Sequence, residues 1–97
     1  MNETEKLAYA VSYLLTHHQY MVLVAIKNDR ILKFNDLMRV YGFKQNPAMK
    51  YVIKLTKTGL IEPVKKSMQS DRLFTITDIG EMVIRAKESW KNEVDRR

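Results

Sequence analysis

The sequence predicts a mainly α fold with a small β-hairpin (α+β) and additional helices at the N- and C-terminal ends. Apolar residues recur at helical spacing in several stretches. Two short alternating segments flank the polar connection Ser67-Met68-Gln69-Ser70-Asp71, as in a hairpin. The chain has 97 residues without repeats or linkers, so it reads as one domain over 1–97.

The elements follow in order. Residues 3–17 look helical, with Asn2 or Thr4 as cap and Leu7, Val11, Leu14, Leu15 and His18 at helical spacing. Met21 to Ile26 continues as a buried helical segment up to Asn28-Asp29, and periodicity alone leaves open whether 3–28 is one helix or two. Ile31 to Phe34 suits a short extended stretch, and Asn35 caps a helix from about Asp36 to Tyr41, with Leu37, Met38 and Tyr41 inward. Gly42 ends it, Phe43 to Gln45 turns, and Asn46-Pro47 starts a helix that runs to Thr58 and stops at Gly59. Leu60 to Lys66 and Arg72 to Thr77 are the hairpin strands, with Glu62-Pro63 suited to an edge strand. Asp78 with Glu81 resembles a capping box for a last helix whose apolar stripe is Ile79, Met82, Val83, Ala86, Trp90 and Val94.

Charge is unevenly placed. The net charge is +6. Residues 1–29 carry −1, residues 30–58 carry +6 (Arg30, Lys33, Arg39, Lys44, Lys50, Lys54 and Lys57 against Asp36), residues 59–77 carry +1 and residues 78–97 balance. An excess confined to the middle is the pattern of a single surface facing a polyanion.

Several classes are excluded or disfavoured. Cysteine is absent, which removes disulfides, thiolate metal sites and thiol-based redox sensing. His17 and His18 point to different faces of a helix, so no metal is expected. The longest apolar run, Tyr20 to Ile26, is too short to cross a membrane and reads as core. Glu3 and Glu5 precede Lys6, the wrong order for a secretory signal, and a cytoplasmic location is expected. No base pairs with a nucleophile at motif spacing and no phosphate-binding glycine loop occurs, so neither an enzyme nor a cofactor is expected.

Two short helices joined by a tight turn and followed by a hairpin form a helix-turn-helix with a wing. Phe34-Asn35-Asp36-Leu37 to Gly42 resembles the first helix of that motif. Leu55-Thr56-Lys57-Thr58-Gly59-Leu60-Ile61 resembles the L-x-x-x-G-L-I that closes the recognition helix, and Arg72 to Thr77 with Asp78-Ile79-Gly80 resembles the returning strand and its T-x-x-G. Over roughly residues 30–80 the chain is similar to winged helix-turn-helix DNA-binding proteins of the MarR, ArsR and PadR groups of bacterial and archaeal transcriptional regulators.

The resemblance implies a regulator that binds double-stranded DNA as a homodimer. It divides the chain into an N-terminal helical segment (1–29), a helix-turn-helix with wing (30–77) and a C-terminal dimerisation helix (78–97). Ala48, Tyr51, Val52 and Leu55 form the inward stripe of the recognition helix, about 46–58. Gln45, Asn46, Met49, Lys50, Ile53, Lys54 and Lys57 lie toward the major groove. In the wing, 64–75, Lys65, Lys66, Ser67, Gln69, Ser70 and Arg72 are expected on the DNA backbone or in the minor groove. Leu7, Val11, Leu14, Met82, Val83, Ala86, Trp90 and Val94 are the expected dimer interface. The residues leave two further classes open. A lysine-rich face without arginine on the helix suits an architectural protein of low sequence preference, and a basic face also suits a protein–protein module meeting an acidic partner.

Overall fold

A computed structural model describes residues 2–64 and 72–95, with the side chains of the last helix as far as Ser89. The order is α1 (Glu3–Leu14), α2 (His17–Asp29), β1 (Ile31–Lys33), α3 (Phe34–Arg39), α4 (Gln45–Lys57), β2 (Ile61–Pro63), β3 (Leu73–Ile76) and α5 (Asp78–Asp95). No helix among the described residues is long and apolar enough to cross a membrane.

The N-terminal segment is two helices. Asn2 caps α1, its Oδ1 accepting from the Glu5 amide at 2.8 Å. The chain then breaks at Leu15, which is extended, and Thr16 opens α2 with a full capping box. The Thr16 hydroxyl accepts from the Gln19 amide and the Gln19 side chain accepts from the Thr16 amide, both at 3.2 Å. This reciprocal cap outweighs the continuous apolar periodicity, which carried no sign of a break.

Helix α2 forms the centre of the core. Val22, Leu23, Ala25 and Ile26 are buried, and α2 touches α4, α5, β1 and β3. Arg30 leaves it at φ 62°, unusual for a side chain of this size. The Thr75 hydroxyl donates to the Arg30 carbonyl at 2.8 Å and holds this turn against the sheet.

The sheet has three antiparallel strands in the order β1-β3-β2, so the hairpin gains a third strand from between α2 and α3. β1 pairs with β3 from Ile31–Thr75 to Lys33–Leu73, and β2 pairs from Ile61–Ile76 to Pro63–Phe74. Leu32, Ile61 and Phe74 turn into the core. Pro63 sits on an edge strand, where a missing N–H costs no ladder bond.

Three helix starts differ from the sequence reading. α3 begins at Phe34 behind Lys33, so Asn35 lies inside the helix instead of capping it. α4 begins at Gln45 behind Lys44, which places Asn46 and Pro47 within the first turn rather than at cap and first position. For α5 the cap is Thr77, whose hydroxyl accepts from the Gly80 amide at 3.1 Å, while Asp78 supplies first-turn negative charge. At the other end of α4, Gly59 adopts φ 77° and closes a Schellman motif. Its amide bonds the Thr56 carbonyl at 3.1 Å, and the Leu60 amide bonds that of Leu55 at 3.0 Å.

α5 buries Gly80, Val83 and Ile84 and packs along α1. Val83 is fully buried within its own domain, which corrects its assignment to a dimer interface. Ile84, absent from the expected stripe, is a core residue, and Ile79 is exposed. The inward face thus keeps Val83 from the expected stripe, with Met82 packed beside the core, and takes Ile84 in place of Ile79.

Gly80 is required by proximity, since a Cβ there would collide with the Leu60 carbonyl oxygen and come within 2.7 Å of the Ile76 side chain. Gly80→Ala is expected to destabilise the fold by about 1–3 kcal/mol through overpacking. Urea denaturation checks this, and unchanged stability would mean that α5 shifts freely off the sheet.

Candidate nucleic-acid interface

Helix α4 has a sharply two-sided surface. Ala48, Val52 and Leu55 are buried against the core, and Tyr51 is partly buried on one flank. Asn46, Lys50, Ile53 and Lys57 are exposed, and their spacing of four, three and four residues puts them on one face. Gln45 is exposed at the amino-terminal end, where Lys44 makes no side-chain cap.

The flanks of that face are built differently. On the α2 side, His18 stacks on Tyr51 with the rings 13° from parallel and centroids 6.1 Å apart. Phe43 meets Tyr51 edge-on at 6.4 Å. This aromatic cluster ties the turn of the helix-turn-helix and α4 to the start of α2. Lys54 turns toward α1, where with Val11, Leu14, Gln19 and Thr58 it lines an apolar groove of about 360 Å³.

On the wing side, Met49 is half-buried, and the Arg72 guanidinium reaches it, Nη1 standing 3.5 Å from the sulfur. The Arg72 carbonyl accepts from the Phe34 amide at 2.8 Å, fixing the strand entry beside the start of α3. Arg72 thus lies against α4, a placement its position at the end of a hairpin loop gave no sign of. Lys65, Lys66, Ser67, Gln69 and Ser70 lie outside the described residues.

The remaining cations of the basic segment differ in availability. Arg39 is paired with Asp36 at 2.9 Å, whereas Lys33 and Lys44 are exposed at the starts of α3 and α4. Lys33 and Lys44 were counted only as charge in the sequence reading; Lys44 stands directly before α4, and Lys33 directly before α3. Among the described residues, no group of three or more His, Cys, Asp or Glu is placed to hold a metal ion.

Of the expected interface residues, Leu7 and Leu14 are exposed on α1, Leu14 at 81%, while Val11, Met82 and Ala86 are partly buried. Glu5, Tyr9, Met82, Arg85, Ala86 and Ser89 line a cleft of about 370 Å³ between α1 and α5. The Trp90 and Val94 side chains lie outside the described residues.

This arrangement matches solved structures. MarR from E. coli in its apo form superposes with a TM-score of 0.74 at 17% identity, over 90% of this chain and 66% of that one. The fold is that of a MarR-type winged helix. A cysteine-to-serine mutant of E. coli MarR complexed with operator DNA gives a TM-score of 0.67 at 14% identity, over 89% and 64% of the two chains. AbfR in its disulfide-formed state gives 0.63 at 24%, over 84% and 68%. The chain spans just under two thirds of the length of the MarR chains it matches. No family model and no curated protein matches it in sequence.

The aromatic cluster sets how firmly α4 is held. Tyr51→Ala is expected to cost about 2 kcal/mol, below the cost for a fully buried aromatic, and Tyr51→Phe well under half of that. Chemical denaturation of both variants measures this; equal losses would shift the role from the ring to the hydroxyl.

Proposed function

We propose that the protein is a transcriptional regulator that binds double-stranded DNA as a homodimer, and that it is not an enzyme. The observation that carries this reading is the exposed face of α4, polar and basic at Asn46, Lys50 and Lys57, on a helix whose opposite face is buried. The similarity of fold to MarR, one of whose matched structures is complexed with operator DNA, supports it. So does the +6 carried by residues 30–58.

In this reading α4 enters the major groove. Gln45 and Asn46 suit adenine edges and Lys50 suits guanine or phosphate. Lys57, and Lys54 on the flank, suit phosphates, which position the helix without specifying sequence. The segment 64–75 contributes Lys65, Lys66, Ser67, Gln69 and Ser70 to the backbone or minor groove. Ile53, exposed at the centre of the face, suits a thymine methyl group. A cytoplasmic location follows from the same reading.

Titration against a duplex of its own upstream region and one of random sequence, at several salt concentrations, tests the reading. About six phosphate contacts give a log–log salt slope near −5. Strong preference for the upstream duplex is the expected result. Equal, salt-sensitive binding to both would establish the architectural alternative, which the lysine-rich face favours, and absence of binding at low salt would exclude both.

The pairing surface is proposed on α1 and α5, through Leu7, Val11, Leu14, Met82, Ala86, Trp90 and Val94. A two-fold dimer sets two reading helices about 34 Å apart, one helical turn of DNA. Leu14→Glu, at an exposed position, is expected to leave the fold intact and to convert a dimer into a monomer in sedimentation velocity. A variant that remained dimeric would place the interface elsewhere.

A further inference from the structure

We infer that Arg72 is a specificity-determining residue that reads a guanine from the flank of α4, with Met49 as the residue that positions it. The inference deepens the DNA-binding reading and rests on it. Helix α4, Gln45–Lys57, contains no arginine, so its own cations are lysines. An ammonium is a point charge on a flexible stem, whereas a guanidinium presents two parallel N–H groups that match the O6 and N7 of guanine. Arg72 brings that planar fork to α4 from another element.

Three features suit it to the task. Its backbone is fixed, because its carbonyl accepts from the Phe34 amide at 2.8 Å where β3 meets the start of α3. Its side chain is directed, because Nη1 stands 3.5 Å from the Met49 sulfur on the edge of the exposed face. Its charge is not spent in that contact, since a thioether is a weak acceptor and, among the described residues, no carboxylate forms an ion pair with it. Arg39 is the contrast: its Nη2 donates to Asp36 at 2.9 Å, so part of its fork is already engaged by a carboxylate. Met49, half-buried beneath the guanidinium, then acts as a support for Arg72 instead of facing the major groove itself.

Selection of binding sites from a randomised duplex pool, followed by affinity and salt titrations, tests this with the wild type, Arg72→Lys, Arg72→Ala and Met49→Ala. The wild-type pool is expected to show a guanine in each half-site whose preference falls about tenfold or more in Arg72→Lys, at an unchanged salt slope. Met49→Ala weakens preference at the same position. Replacing that guanine by 7-deazaguanine, which lacks the N7 acceptor, weakens the wild type and leaves Arg72→Lys unaffected. Circular dichroism confirms folding, and Arg72 is exposed. If Arg72→Lys retains every preference while Arg72→Ala weakens all duplexes equally and lowers the slope by about one, Arg72 is a phosphate contact. That result overturns the inference and leaves the regulator reading standing. A wild type that binds without preference, or fails to bind duplex DNA, overturns both.

Discussion

The junction around Thr77 holds the molecule together. Its hydroxyl donates toward the carbonyls of Gly59 at 2.6 Å and Leu60 at 3.0 Å, and accepts from the Gly80 amide. Its own amide donates to the Leu60 carbonyl at 3.1 Å. One residue thereby joins the end of α4, the start of β2, the end of β3 and the cap of α5. Gly80 lets the backbones approach closely enough for this, because any side chain there meets the Leu60 carbonyl. The angle between α4 and α5 is set at this point. The Schellman turn at Gly59 delivers the Leu60 carbonyl to it.

A second anchor works at the middle of α5. Lys87 donates to the Leu15 carbonyl at 3.3 Å, at the break between α1 and α2, with its ammonium 5.2 Å from the centre of the Tyr20 ring. α1 buries little of its own surface beyond Ala8 and Ser12, and its main partner is α5. The head formed by α2, α3, α4 and the sheet is thus well packed within itself, while the α1/α5 pair is attached through α5. The basic surface of α4 and the exposed apolar surface of α1 meet along the groove that Lys54 shares with Val11 and Leu14.

Most of this architecture was legible in the sequence, and the differences have local causes. Gly59 marked the end of α4 because it sits at φ 77°, where other residues are strained, whereas α3 ends at Arg39, short of the expected Tyr41 and Gly42, and Tyr41 is exposed instead of inward. Ala48, Val52 and Leu55 announced the inward face of α4 by their spacing. The break at Leu15–Thr16 was hidden because apolar residues continue on both sides, although the Thr16 and Gln19 pair was a readable capping signal. On α5 the expected stripe was right at Val83 but missed Ile84 and included the exposed Ile79, because the buried face is aligned on Gly80, which carries no hydrophobic signal. The approach of Arg72 to Met49 joins residues 23 positions apart and lay beyond any pattern of spacing.

The strand order has a consequence for synthesis and folding. β3 is central, and it pairs with β1 some forty residues earlier as well as with β2. A chain emerging from the ribosome as far as Pro63 already contains α1 to α4 and two strands, yet neither strand has a partner. Helices close in microseconds or less through local contacts, while this sheet waits for Leu73–Ile76 to arrive. Until then two apolar edges, around Leu32 and Ile61, stand open to mispairing. Completion of the central strand is therefore the committing event, and the hairpin loop before it sets how long the nascent chain must wait.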